Sequence, residues 1–149
     1  MEQSRLPDEH RYPAMKIFNF ILRLALGGIF IAAGIPKIVN PAAFATDIGN
    51  YRILPHEWIN LLAITLPWIE VAAGLLLIIG VWKRANALLI TLMLVVFLAA
   101  ISQAVVRNLN IRCGCFGTTE GRKVGLVAIA EDFAMFAGAL WLTLRERDS

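Results

Sequence analysis

The chain has two cysteines, Cys113 and Cys115, and a single glycine separates them. They are the only cysteines among 149 residues, so neither can pair with any other cysteine of the same chain. Cα atoms of residues i and i+2 lie near the ~4.4–6.8 Å range of disulfides, and the ring that would close is small and strained. Strained, exposed disulfides exchange readily, and the adjacent Arg112 favours a thiolate. The pair is therefore predicted to carry out thiol–disulfide exchange as the catalytic site.

Two other interpretations of the cysteines stay open at this point. A structural disulfide between such close residues closes almost no loop and would contribute little stability. A structural zinc site needs about four ligands, and only His56 and His10 could join the cysteines, with His10 expected on the opposite side of the membrane. No metal ligand set is predicted within the chain, and soft-metal binding would have to use Cu(I) or an intermolecular site.

The composition indicates a membrane protein. Hydrophobic residues make up 58% of the chain, and the mean hydropathy is +0.68. About 20 apolar residues are needed to span a bilayer core, and four runs qualify: about 17–39, 59–81, 85–106 and 124–144. These runs leave no room for a second domain. The predicted fold is all-α, a polytopic membrane four-helix bundle forming one domain over residues 1–149, with the cysteines in an outer loop at 107–123.

Charge placement gives the partners and the orientation. The net charge is +3, but lysines and arginines cluster at the ends of the apolar runs, with Trp58, Trp82 and Trp141 near them. This flanking pattern is typical of membrane spans, so the predicted partner is a lipid bilayer and not nucleic acid. The basic turn around Lys83 favours a cytoplasmic hairpin. The termini are then cytoplasmic, and the cysteine loop faces the periplasm from the bacterial cytoplasmic (inner) membrane.

Prolines punctuate the segment between the first two spans. Pro36, Pro41 and Pro55 are expected to interrupt helix, and residues 42–51 are predicted to form a short interfacial helix.

Four ionisable residues lie well inside the predicted spans, away from their ends: Arg23, Glu70, Glu131 and Asp132. Each costs about 3 kcal/mol to insert, so such residues usually face the bundle interior with a partner. We predict an Arg23–Glu70 pair joined by one of the two other acids, which are about 100° apart on their helix. The cluster is interpreted either as an ion pair that fixes helix register or as a cofactor-binding pocket for a quinone head group or a proton relay.

Spacing on the first span adds a motif. Arg23, Gly27, Phe30, Gly34 and Lys37 follow at steps of four, three, four and three, which places them on one helical stripe. Together with Glu70-x-x-x-Gly74, this pattern resembles the DoxX-like superfamily of four-helix membrane proteins. The loop Arg112-Cys-Gly-Cys-Phe-Gly117 resembles its MauE branch, which is associated with methylamine utilisation.

The resemblance implies a bundle in the bacterial cytoplasmic membrane with a role in extracytoplasmic thiol redox. In the MauE branch this role is linked to disulfide maturation of the small subunit of methylamine dehydrogenase. By resemblance, Cys113 and Cys115 form the redox pair, while Arg23, Lys37 and Glu70 are motif positions.

The sequence therefore predicts a membrane-embedded thiol–disulfide redox protein. Because the chain has no second cysteine pair, it needs an external partner, either a periplasmic thioredoxin-like or disulfide-containing protein or a quinone. The alternative is a non-catalytic membrane subunit, an assembly factor or a soft-metal handling protein.

Overall fold

The computed structural model describes residues 12–111 and 125–146, and all of the regular structure in these ranges is α-helical. The helices are α1 (Tyr12–Val39), α2 (Pro41–Asn50), α3 (His56–Ile79), α4 (Lys83–Val106) and α5 (Leu126–Arg145). Cys113 and Cys115 lie outside the described residues, in the connection between α4 and α5.

Four of these helices are long and apolar enough to cross a membrane: α1, α3, α4 and α5. This confirms the predicted all-α fold with four spans, although α1 begins at Tyr12, before the predicted start at residue 17. Large apolar side chains such as Phe18, Ile64, Trp68 and Val96 point away from the bundle. Such a surface suits lipid, and the four spans make the chain a multi-pass membrane protein.

The short helix α2 confirms that the segment predicted at residues 42–51 is helical, although it begins one residue earlier, at Pro41. Asn40 caps it by accepting a hydrogen bond from the backbone N–H of Ala43 at 3.1 Å, and Pro41 occupies the first turn. Asparagine is a favoured N-cap, and proline fits the first helical position because its missing N–H would have no partner there. The end of the bundle that carries α2, which also carries the α4–α5 connection, is called the α2 end below.

The expectation that Pro36 interrupts helix is wrong. Pro36 lies inside α1, which continues to Val39. A proline removes one backbone hydrogen bond, but helices that span membranes tolerate this where neighbouring helices pack on the freed group. Pro41 and Pro55 do stand at helix starts, as expected.

The bundle is built from two well-packed helix pairs. α1 packs mainly on α3, and α4 packs mainly on α5, while smaller α3–α4 and α1–α5 contacts join the pairs. Leu26, Leu77, Ile90, Leu94 and Leu142 are among the buried residues of the shared core.

Gly27 and Gly74 set the close approach of α1 and α3. A Cβ atom added at Gly27 would lie 2.6 Å from the carbonyl oxygen of Gly74, and one added at Gly74 would lie 2.7 Å from that of Gly27. Small residues allow two membrane helices to approach this closely. The antiparallel α1–α3 register is therefore centred on Gly27 of the predicted stripe and Gly74 of the Glu70-x-x-x-Gly74 motif.

Candidate functional site

Lys37 and Glu70 form an ion pair between α1 and α3. The Lys37 Nζ donates to both carboxylate oxygens of Glu70, at 2.9 and 3.0 Å, and each residue is only 1% exposed. The rings of Phe44 and Phe97 lie 4.8 and 5.3 Å from the ammonium, within the range of cation–π attraction. The lysine is therefore surrounded by a carboxylate and two aromatic rings, away from water.

Arg23 lies elsewhere, against the last turn of α3. Its Nε and Nη2 donate to the carbonyl of Leu77 at 3.0 and 2.9 Å, and Nη2 also donates to the carbonyl of Ile78 at 3.2 Å. The last carbonyls of a helix have no partner within the helix and carry partial negative charge. Arg23 thus caps the C-terminus of α3, next to Gly80, where the chain turns with φ of 90°.

The predicted Arg23–Glu70 pair is therefore wrong, and the reason is helix register. Because Gly27 faces Gly74 across antiparallel helices, the position opposite Glu70 lies between Arg23 and Lys37. Side chains on a helix lean toward its N-terminus, so Arg23 leans away from Glu70 and Lys37 leans toward it. Lys37 stands near the end of the first apolar run, where flanking charges at the membrane surface are expected, but its place on the stripe with Arg23 was the signal for a buried residue.

The two acids of α5 separate as their angular offset predicts. Asp132 points inward and is 2% exposed, whereas Glu131 is half-buried. The Oδ2 of Asp132 is buried and makes no hydrogen bond to the described part of the chain. Of the predicted cluster, the structure brings Glu70 and Asp132 to one cavity, and it does not bring Arg23 there.

That cavity is small. It has a volume of about 20 Å³ and is lined by Glu70, Asp132 and apolar side chains that include Phe30 and Phe97. A space of this size holds about one water molecule. Glu70 and Asp132 are therefore better placed to hold a water molecule than a quinone ring.

A much larger groove lies between α2, α3 and α4. Its volume is about 530 Å³, and it is bounded by Phe44 and Ile48 of α2, Leu66 of α3, and Val96 and Phe97 of α4. Three polar residues contribute to its lining: Asp47, Tyr51 and Gln103. Phe97 also lines the small cavity, so its ring contributes to the walls of both spaces. This groove was not predicted from the sequence, because its lining comes from three helices and depends on how they pack.

The described residues offer no obvious metal centre. Within 12–111 and 125–146, no three His, Cys, Asp or Glu side chains group closely enough to hold a metal ion.

Replacing Arg23 by methionine is expected to loosen the α3–α4 turn. Hydrogen bonds from a charged donor contribute roughly 1.5–3 kcal/mol each, and the variant would leave the carbonyls of Leu77 and Ile78 without this donor. Hydrogen–deuterium exchange with mass spectrometry should show faster exchange in peptides that cover the turn at Gly80. Lys16→Met, on the exposed part of α1, is the control and should leave these rates unchanged. Equal rates in Arg23→Met and the native protein would contradict the capping role.

Comparison with known proteins gives a consistent result. The family model described as methylamine utilisation protein MauE matches residues 15–145. The methylamine utilization protein MauE of Paracoccus denitrificans is 29% identical over 120 residues, which cover 80% of this chain and 64% of that protein. Its namesake from Methylorubrum extorquens is 28% identical over 130 residues, covering 87% of this chain and 70% of that protein.

A third relative of the same name, from Methylophilus methylotrophus, is 26% identical over 116 residues, covering 76% of this chain and 61% of its own length. The chain thus spans about two thirds of the length of the curated relatives it matches. No solved structure matches it. Because the family model covers nearly all of α1, the other three membrane helices and the cysteine segment between α4 and α5, the chain belongs to the MauE family.

Proposed function

We propose that this protein is a membrane-embedded thiol–disulfide redox protein that acts with an extracytoplasmic partner. The observation that carries the proposal is the position of the only two cysteines, one residue apart, in the connection between α4 and α5. That connection belongs to the α2 end of a four-span bundle. Two cysteines one residue apart, in a connection on one side of the membrane, can undergo thiol–disulfide exchange with a soluble protein on that side.

The proposed orientation puts the α2 end in the periplasm and the termini in the cytoplasm, across the bacterial inner membrane. The tight basic turn at Lys83 and Arg84 supports this orientation, since positive charge favours the cytoplasmic side. Disulfide chemistry then takes place in an oxidising space. The proposed partner is a thioredoxin-like or disulfide-containing protein. The relatives' names support a role in methylamine utilisation, and the activity proposed within that role is disulfide maturation.

In the exchange step, the thiolate of Cys113 or Cys115 attacks one sulfur of the partner's disulfide, and the other partner sulfur leaves as a thiolate. The second cysteine then attacks the mixed disulfide. The products are a Cys113–Cys115 disulfide and a reduced partner, and the reverse sequence oxidises the partner. Either direction leaves this protein needing a second partner, because the chain contains no further cysteine.

Alkylation of intact cells with a membrane-impermeant maleimide tests the proposal. Both thiols should react only after mild reduction, and the pair should return to the protected form when the reductant is removed. Cys113→Ser and Cys115→Ser should each abolish this cycling, and one of them should accumulate a mixed disulfide with the partner. Ser102→Ala, near the C-terminal end of α4, is a control that keeps both cysteines.

Three results would contradict the proposal. The thiols could stay reduced in an oxidising periplasm, or they could react only after the cells are lysed, which would place them in the cytoplasm. Stoichiometric protection by Cu(I) without any disulfide would instead favour a soft-metal handling protein.

A further inference from the structure

We infer that Asp132 binds an exchangeable proton inside the bundle, in a neutral group that it forms with Lys37 and Glu70. The small cavity beside the two acids is lined by residues of α1, α3, α4 and α5, so the group lies where these four helices meet. Lys37 and Glu70 are each 1% exposed, and Asp132 is 2% exposed. The site is independent of the proposed redox function, because it uses neither cysteine.

Charge balance inside the bundle leaves one acid without a cation. Both carboxylate oxygens of Glu70 accept hydrogen bonds from the Lys37 ammonium, at 2.9 and 3.0 Å, so these two charges cancel. Asp132 adds a second carboxyl group at the cavity that Glu70 lines. With both acids ionised, the three residues would carry a net charge of −1 away from water. One proton on Asp132 makes the group neutral.

Arg23 does not supply the missing positive charge. It is the other buried cation among the described residues, and its guanidinium donates to the carbonyls of Leu77 and Ile78 at the end of α3. Ile29, the first residue of α1 to line the cavity, is about 9 Å from Arg23 along the helix axis, at 1.5 Å per residue. Because side chains lean toward the N-terminus of their helix, Arg23 leans away from Asp132.

The remaining side chains around the cavity are apolar. They are Ile29, Phe30 and Ala33 of α1, Leu94 and Phe97 of α4, and Met135 of α5. None of them carries a charge or a strong hydrogen-bond donor, and the neighbouring acid Glu131 lies about 100° away around α5. An ionised carboxylate costs more to bury in such surroundings than a neutral carboxyl group does. The lining therefore favours Asp132 with its proton.

The Oδ2 of Asp132 distinguishes a proton from a larger ligand. This oxygen is buried and has no hydrogen-bond partner within the described residues. A proton needs only a lone pair of the oxygen, whereas calcium and magnesium ions take about six or more oxygen ligands. Lys37 already occupies both oxygens of Glu70. No three His, Cys, Asp or Glu side chains of the described part of the chain group closely enough to hold a metal ion.

The small cavity allows the proton to exchange. Its volume of about 20 Å³ accommodates about one water molecule. A water molecule that enters it meets Asp132 and Glu70 together, since both acids line the space. Water both donates and accepts hydrogen bonds, so it can deliver a proton to Asp132 or take one up.

Infrared spectroscopy of the full-length protein in dodecyl maltoside, a detergent without carbonyl groups, tests the site. A neutral carboxyl group has a C=O stretching band at a higher frequency than a carboxylate. At mildly acidic pH, where exposed acids are ionised, the native protein should show such a band with the intensity of one carboxyl group per chain. The band should move to lower frequency in heavy water, and it should disappear in a one-proton titration as the pH is raised.

Matched variants assign the band to its residue. Asp132→Asn, a neutral side chain of nearly the same size, should lose it. Asp47→Asn makes the same change in α2, outside the buried core, and should keep it, as should Glu131→Gln. Aspartate labelled with carbon-13 at its carboxyl group should shift the band in the native protein. This label keeps the test informative if circular dichroism shows that Asp132→Asn does not fold.

The bound proton also predicts how stability depends on pH. An aspartate of the unfolded chain is ionised above about pH 5, so folding takes up a proton at Asp132 and a rise in pH favours unfolding. Relative to Asp132→Asn, the unfolding equilibrium constant of the native protein should rise by up to about tenfold per pH unit. This rise should end at the pH at which the infrared band is lost. Unfolding by dodecyl sulfate in mixed micelles would measure it.

Several results would overturn the inference. A native protein without a neutral carboxyl band, or a band that persists in Asp132→Asn, would show that Asp132 carries no proton. A band that does not move in heavy water would show that the proton does not exchange. The same pH dependence of stability in the native protein and Asp132→Asn would show that folding takes up no proton at this residue. Loss of the band when calcium chloride is added at constant pH and ionic strength would assign the site to a cation instead.

Discussion

Replacing Lys37 by methionine is expected to lower the free energy of unfolding by about 3–5 kcal/mol. Lys37 and Glu70 are each 1% exposed and bond through both carboxylate oxygens. The variant would leave the Glu70 carboxylate buried without its cation, away from bulk water. Glu70→Gln should cost a similar amount, because it leaves the Lys37 ammonium between two aromatic rings with no opposite charge. Unfolding in mixed micelles with increasing dodecyl sulfate would measure both.

Two matched variants make this prediction specific. The double variant Lys37→Met/Glu70→Met removes both charges and should recover most of the loss, since apolar replacement of a buried pair is often neutral. Lys83→Met removes a lysine whose ion pair with Glu146 is longer, at 3.7 Å, and more exposed, so its cost should not exceed about 1 kcal/mol. A double variant as unstable as either single one would show that the pair does not stabilise through its charges.

Gly27→Ala is expected to lower the free energy of unfolding by about 1–3 kcal/mol, the usual cost of overpacking. The added Cβ would lie 2.6 Å from the Gly74 carbonyl oxygen, so α1 and α3 would have to separate. Because the same helices hold Lys37 against Glu70, separation should also weaken that ion pair. The same micelle unfolding assay would measure the change.

Gly28→Ala is the control for this substitution. A Cβ at Gly28 meets nothing within 4 Å, and alanine favours helix over glycine by up to about 1 kcal/mol. This variant should therefore be as stable as the native protein or slightly more stable. If both alanine variants behaved alike, helix propensity and not the α1–α3 approach would explain the effect.

The four membrane helices could be predicted from the sequence because the apolar core of a bilayer requires spans of a fixed length made of apolar residues. Runs of about 20 apolar residues predicted the four spans, and Pro41 predicted where α2 begins. The stripe of Arg23, Gly27, Phe30, Gly34 and Lys37 was read from helical spacing alone, and all five residues are buried. Pro36 was misread because its effect depends on what packs around it.

The candidate site was only partly readable from the sequence. The cysteine pair is visible in the sequence as a motif. Glu70 was predicted to face the bundle interior, together with either Glu131 or Asp132, and in the structure Glu70 and Asp132 are the buried acids. The partner of Glu70 and the groove beside Gln103 were not predicted. Both depend on distances between helices, which spacing along one helix does not contain.

By itself, the sequence determined the number of spans and the buried stripe of α1, and it supplied the motif in which Cys113 and Cys115 stand one residue apart. The tertiary structure decided that Lys37 neutralises Glu70, that Arg23 caps α3, and that a large groove opens near the α2 end. Periodicity fixes which face of a helix is buried. The antiparallel contact of Gly27 with Gly74 fixes the register, and register determines which charges on those faces can reach each other.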